Sequence, residues 1–102
     1  MIINKLVRDK IPSIIEANGQ TPRIRILSDE DYAVSLEQKL DEEVNEFHRD
    51  KNLEELADIL EVVYALAENL GCHKEELLEV YQKKHDQRGG FRDRILLISN
   101  EG

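Results

Sequence analysis

The sequence predicts an all-α fold, a four-helix bundle-type domain built on a central antiparallel helical hairpin. Apolar residues recur at spacings of three and four, capping residues and Gly or Pro separate the periodic segments, and only two short stretches alternate as strands do. Hydrophobic residues make up 40% and charged residues 35% of the chain, which is typical of a globular protein with charge-rich helices. With 102 residues, a single domain over residues 1–102 is expected.

The first helix is predicted over residues 11–18, because Pro12 suits a first helical turn and Gly19 is a stop signal. After a break at residues 19–22, residues 23–27 alternate in the manner of a half-exposed strand. The comparable segment is residues 94–98, near the C-terminus. We therefore expect a minor two-stranded β element that pairs these two segments.

The second helix is predicted over residues 29–50, since Ser28 and Asp31 resemble the start of a capping box. Its apolar stripe consists of Leu36, Leu40, Val44 and Phe47. Residues 50–52 are polar and end this helix. They are predicted to form the tip of the hairpin.

The third helix is expected to begin at Leu53, with Asn52 as its N-cap, and to run until Gly71. One of its apolar stripes consists of Leu53, Ala57, Leu60, Tyr64 and Ala67. The fourth helix follows residues 72–74, carries Leu77, Leu78 and Tyr81 on its apolar face, and ends before Gly89. Because the third helix is apolar on more faces than one small bundle covers, we expect a homodimer or homotetramer.

Four acidic residues interrupt the apolar faces of the hairpin. At about 100° per residue, Glu43 falls within about 20° of Leu36, inside the apolar stripe, and Glu46 lies at its edge. On the third helix, Glu55 and Asp58 fall within a second apolar region. Most acidic residues on helices are simply solvated, but a buried carboxylate costs several kcal/mol unless it is paired, protonated or bound to a metal.

Counting from the tip brings these acids together. With the turn centred near Lys51, Glu46 lies five residues before it and Glu55 four after it. Glu43 lies eight residues before the turn and Asp58 seven after it. In an antiparallel pair of helices the first two acids then share one level and the other two share the next. Two rungs of carboxylates are predicted to face one space.

Oxygen ligands with little local counter-charge favour Mg²⁺, with Mn²⁺ as an alternative ion. Lys39 lies one turn before Glu43 and can pair with it, but the other nearby basic residues of the hairpin lie around the turn. The pattern also leaves open an acid-lined groove that holds no metal.

The two half-motifs, Glu43-Val44-Asn45-Glu46 and Glu55-Leu56-Ala57-Asp58, resemble the ExxE…ExxD signature of the all-α NTP pyrophosphatase superfamily, which includes MazG-like proteins, dimeric dUTPases and phosphoribosyl-ATP pyrophosphohydrolase. Residues 4–12 and 88–91 resemble the ends of small MazG-like, phosphoribosyl-ATP-pyrophosphohydrolase-like proteins. One feature departs from the larger members: only eight residues, 47–54, separate the half-motifs. The resemblance therefore does not extend to substrate contacts that longer members make from the tip.

The resemblance implies a hydrolase that cleaves the α–β phosphoanhydride of a nucleoside triphosphate or related nucleotide, with Glu43, Glu46, Glu55 and Asp58 as Mg²⁺ ligands. Glu46, at the rim of the stripe, is the preferred general base, and Glu43 or Glu55 can serve equally. The competing hypothesis from another class is a non-catalytic helical module that dimerises or binds nucleotides for regulation.

The triphosphate chain also needs protein cations, for which Lys83, Arg88 and Arg92 are the candidates. Arg88 precedes two glycines, which allow backbone N–H groups to approach a phosphate. The equally weighted alternative is that these basic residues complement the C-terminal dipole of the fourth helix. Arg8 and Lys10, near the N-terminus, are further cations, with an ion pair to Asp9 as the alternative role of Arg8.

The formal charge of −8 argues against nucleic acid as a partner, because a phosphate backbone needs a surplus of Lys and Arg. The single cysteine, Cys72, excludes an intrachain disulfide and a Cys-based zinc site. The N-terminal residues show no signal-peptide pattern and no segment is suited to span a bilayer, so we expect a cytoplasmic protein without a membrane partner.

Overall fold

The computed structural model describes residues 3–102; Met1 and Ile2, which belong to the predicted 1–102 domain, lie outside the described residues. Four helices follow one another along the chain: α1 (Ile11–Ala17), α2 (Asp29–Asp50), α3 (Leu53–Asn69) and α4 (Lys74–Arg88). The all-α fold class is confirmed, and the helix boundaries agree with the predicted ones to within one or two residues.

The central hairpin is formed by α2 and α3, which make the most extensive helix–helix contact of the described chain. Lys51 ends α2 in the left-handed conformation, with a φ of 48°, and its N–H donates to the carbonyl of Phe47 at 2.8 Å. Asn52 caps α3, since its side-chain oxygen accepts from the N–H of Glu55 at 3.0 Å. The turn between the two helices is therefore only two residues long and fixes their register.

The far end of α2 is capped in the same way, because Ser28 Oγ accepts from the N–H of Asp31 at 3.2 Å. The buried apolar residues of the described chain are Leu36 on α2 and Val62 and Ala67 on α3. Glu43 is buried alongside them. The buried residues of the described chain, one carboxylate included, thus all lie on the two helices of the hairpin.

The fourth helix packs lightly on α3. Its N-terminus is closed by a capping box in which the Glu76 side chain accepts from the N–H of His73 at 3.0 Å. On the predicted apolar face, Leu77 is half-buried, whereas Leu78 and Tyr81 are exposed. The capping chemistry, rather than a buried stripe, accounts for where α4 begins.

The predicted β element is wrong. Residues 23–27 and 94–98 form no strand in the part of the chain that the structure describes. An isolated pair of short strands is marginally stable, and closing the long loop between these two segments costs entropy that so few contacts do not repay. Alternation along 94–98 therefore indicated an extended segment without indicating its partner.

The chain exposes far more surface than a compact monomer of its length. Its accessible surface is 9590 Å², against about 5,900 Å² expected for a folded monomer of this size. Its radius of gyration is 18.1 Å, against about 13 Å expected. Large apolar residues are among the exposed ones, including Leu53, Leu56 and Leu60 on α3 and residues 95–98. Of the predicted α3 stripe, Ala67 is buried but Leu53 and Leu60 are exposed.

Across residues 3–102, none of the helices combines the length and the apolar character that crossing a bilayer requires.

Candidate metal centre

The four predicted acids converge at one place on the hairpin. One carboxylate oxygen from each of Glu43, Glu46, Glu55 and Asp58 lies within 4.8 Å of those of the others. The spacing of three residues within each pair puts two acids on one face of α2 and two on one face of α3. The predicted meeting of the acids across the hairpin is therefore confirmed, and their role as metal ligands stays a prediction.

Glu43 is the most deeply buried of the four, with 6% of its surface exposed. Its Oε1 lies 3.3 Å from Lys39 Nζ, as its position one turn later predicts, whereas its Oε2 is buried without a hydrogen-bond partner among the described residues. Burial raises the pKa of the Glu43 carboxyl above its ordinary value, Lys39 opposes this, and the charge of Glu46 adds to it. Lys39 thus compensates one oxygen of this carboxyl and leaves the other uncompensated.

The carboxyl of Glu55, on α3, also has an uncompensated oxygen. Its Oε2 is also buried without a hydrogen-bond partner in the described part of the chain. Burial raises its pKa above the ordinary value, and the negative charges of Glu46, Asp50 and Asp58 raise it further. The side chain is held in this crowded place because Asn52 fixes the start of α3 at the backbone of Glu55.

A cation from the N-terminal segment reaches the cluster. Arg8 Nη2 donates to Asp58 Oδ1 at 2.9 Å, across 50 residues of sequence. The sequence indicated little counter-charge for these acids beyond Lys39 and offered Asp9 as an ion-pair partner for Arg8, so this contact was missed. No periodicity or spacing connects positions so far apart, and only the fold brings them together.

The donor set fits a hard divalent cation. All four candidate ligands are carboxylates, and the cluster contains neither a histidine nor a cysteine, which zinc and softer metals prefer. Two buried oxygens without partners provide coordination sites that the protein itself leaves unused. The residues present therefore suit a metal ion that prefers oxygen ligands.

A cavity of about 230 Å³ opens beside the cluster and shares Glu43 and Asp58 with it. Residues 6–9, α2 and α3 enclose this cavity. Its apolar and aromatic lining includes Tyr32, Leu36, Val62, Tyr64 and Ala65. Tyr64, which belongs to the predicted apolar stripe of α3, is only half-buried and lines this cavity.

The predicted phosphate contacts Lys83, Arg88 and Arg92 are exposed, and none of them lines this cavity. Nor does any of them form an ion pair with the four acids in the described structure. Their role in binding phosphate stays a prediction. His48, His73 and His85 are exposed, and none of them belongs to the acidic cluster.

Comparison with known proteins finds a relative that matches part of the chain. It is 60% identical over 42 residues to an uncharacterised protein of Mycolicibacterium smegmatis, a match that covers 41% of this chain and 43% of the relative. The chain thus spans less than half the length of that relative. No protein-family model matches the chain, and no solved structure matches it.

Proposed function

We propose that the chain is a Mg²⁺-dependent nucleotide pyrophosphohydrolase of the all-α NTP pyrophosphatase superfamily. The reaction adds water across the α–β phosphoanhydride of a nucleoside triphosphate or related nucleotide and releases a monophosphate and pyrophosphate. One observation carries the proposal: four carboxylates converge within 4.8 Å, and two of their oxygens are buried without a partner in the described structure. Their similarity to the ExxE…ExxD motif adds the reaction class.

Electrostatics support the presence of a divalent ion in the working protein. Among the described residues, two cations form ion pairs with the four clustered acids: Lys39 contacts one oxygen of Glu43, and Arg8 contacts one oxygen of Asp58. Uncompensated buried charge of this kind costs free energy, and a divalent cation offsets it. When bound, Mg²⁺ polarises phosphate oxygens and lowers the pKa of an attacking water.

Each side chain of the site then has its own role. Glu43 and Asp58, at the boundary between the cluster and the cavity, hold the ion next to the phosphate chain. Glu46 accepts the proton of the attacking water, because it lies in the cluster but is less buried than Glu43. Tyr32 and Tyr64 offer aromatic surfaces within the cavity to the nucleoside portion of the substrate.

The discriminating experiment is pyrophosphate release from a panel of NTPs, dNTPs and phosphoribosyl-ATP, with and without Mg²⁺. We expect metal-dependent release from at least one substrate, with monophosphate formed in equal amount. If no substrate releases pyrophosphate although nucleotide and metal both bind, the chain is the non-catalytic regulatory module instead.

We also propose that the functional unit is a homodimer or homotetramer. The excess exposed surface of roughly 3,700 Å² per chain is larger than a standard protein–protein interface needs from one partner. A second copy offers the same exposed leucines of α3 and the same apolar segment 95–98, so a symmetric interface can cover both.

A further inference from the structure

We propose that Arg8 holds Asp58 in place of a divalent cation, that the arriving cation displaces it, and that the freed guanidinium then binds the phosphate chain of the nucleotide. This inference rests on the proposed function. It assigns to one residue, outside both half-motifs, a role in metal binding and a role in substrate binding.

The contact has the properties of an exchangeable pair. Arg8 Nη2 lies 2.9 Å from Asp58 Oδ1, and the two side chains are 55% and 39% exposed. Ion pairs exposed to this degree are screened by water and contribute only about 0–1 kcal/mol. A divalent cation that gains several carboxylates at once therefore outcompetes a single guanidinium for Asp58.

Arg8 is held near the cluster by its own segment as well as by Asp58. Its carbonyl accepts from the N–H of Ile11 at 3.0 Å, which ties it to the start of α1. Lys5, three residues earlier, lies 3.3 Å from Glu42 on α2. Residues 6–9 line the cavity, so releasing Asp58 leaves Arg8 beside the space that the substrate enters.

The chemistry of the cavity favours Arg8 as the phosphate contact. Arg8 and Lys39 are the basic side chains among its lining residues, and Lys39 already faces two carboxylates, at 3.5 Å for Glu42 and 3.3 Å for Glu43. Arg8 faces one. A guanidinium carries five N–H donors in a planar fork that matches phosphate oxygens, and these become available when Asp58 is taken by the metal.

The test measures Mg²⁺ binding to the full chain by calorimetry in the wild type, in Arg8→Gln and in Lys5→Gln. Both variants remove one positive charge from the same segment, but Lys5 pairs with Glu42, which is not one of the four clustered acids. We expect Arg8→Gln to bind Mg²⁺ roughly two- to fivefold more tightly than the wild type. Lys5→Gln should bind as the wild type does, and circular dichroism should show equal helix content in all three.

A second titration uses inorganic pyrophosphate in the presence of saturating Mg²⁺. Here Arg8→Gln should bind about tenfold more weakly than the wild type, since it lacks the charged donors, and Lys5→Gln should be unchanged. Arg8→Lys keeps the charge without the fork and should fall between the wild type and Arg8→Gln. Opposite shifts for metal and for pyrophosphate in one variant support the exchange.

Other outcomes overturn the inference in ways that can be told apart. Unchanged or weaker Mg²⁺ binding in Arg8→Gln means that Arg8 does not compete for Asp58. Equal tightening in Lys5→Gln means that the effect is general electrostatics. Absence of Mg²⁺ binding in every protein, the wild type included, removes the metal centre itself and with it the proposed function.

Discussion

In the α2–α3 hairpin, the charged residue Glu43 is buried, whereas at residues 95–98 four consecutive apolar residues are between 77% and 90% exposed. The two regions depart from the usual distribution of residues in opposite directions. Each departure costs free energy in the isolated chain, in the first case by removing charge from water and in the second by leaving apolar surface in it.

This contrast corresponds to the two proposals made above, a divalent ion at the hairpin and a second copy of the chain at the C-terminal segment. The hairpin brings four carboxylates together and leaves one buried oxygen each of Glu43 and Glu55 without a hydrogen-bond partner among the described residues. The C-terminal segment provides apolar area and lacks a surface to cover it. The two regions can be tested separately, because a change in the hairpin cluster should leave residues 95–98 unaffected, and the reverse.

The largest effect is expected at the buried carboxylate. Glu43→Gln should lower metal-dependent pyrophosphate release by about 100-fold or more, because loss of a charged ligand removes several kcal/mol of stabilisation from the metal-bound state. Without metal it should be at least as stable as the wild type, since Lys39 keeps Glu42 at 3.5 Å as a partner. Activity assays measure the expected loss of pyrophosphate release, and thermal melts of the metal-free protein measure its stability.

Glu54→Gln is the matched control, because Glu54 precedes Glu55 on α3 but is exposed and lies outside the cluster. It should retain nearly full activity. If Glu43→Gln unfolds the metal-free protein, the carboxylate is structural and the contrast between the two regions fails.

The next effect concerns the C-terminal segment. Leu96→Asp should weaken self-association by at least about tenfold, as expected when a charge enters an apolar interface. Sedimentation velocity over a range of protein concentrations measures this. Ser99→Asp adds the same charge nearby without removing apolar area and should associate as the wild type does. A wild type that is monomeric at micromolar concentration would contradict the proposed oligomer.

A smaller effect is expected at the hairpin tip. Asn52→Ala removes the cap that holds Glu55 and should cost about 1 kcal/mol in unfolding free energy. It should also weaken Mg²⁺ binding, since Glu55 loses its fixed position. Ser28→Ala removes the cap at the other end of α2, so urea unfolding should show a similar loss while metal affinity is unchanged. Equal metal affinity in both variants would show that the tip does not position the site.

The smallest effect is a dependence of stability on pH in the metal-free protein. Glu43 and Glu55 have raised pKa values in the folded state, so between the ordinary carboxyl pKa and these raised values the folded chain binds more protons than the unfolded chain. Their contribution to the free energy of unfolding therefore falls as pH rises through that window. Urea titrations at several pH values, compared with a Glu43→Gln, Glu55→Gln double variant, measure it. A pH-independent difference between the two proteins would contradict this assignment.

The local part of the structure was predictable from the sequence, because helix caps and apolar periodicity act over a few residues. Ser28 and Asn52 marked the starts of α2 and α3, and counting from Lys51 placed the four acids together. The contact of Arg8 with Asp58 was not predictable, since it depends on how the N-terminal segment lies across the hairpin. The β pairing failed for a related reason, because alternation along a segment does not specify its neighbour.

The two-residue turn at Lys51 and Asn52 has a consequence for the order in which the protein assembles. All four candidate ligands fall within 16 residues of sequence, so the site needs only the closing of one local hairpin, and helical folds rich in such local contacts form in about microseconds to milliseconds. Arg8 and Asp58 are 50 residues apart in the sequence, so a longer loop must close before their contact forms. The four acids can therefore meet before the N-terminal segment reaches the cluster, and the divalent ion of the proposed function would then act as a folding template.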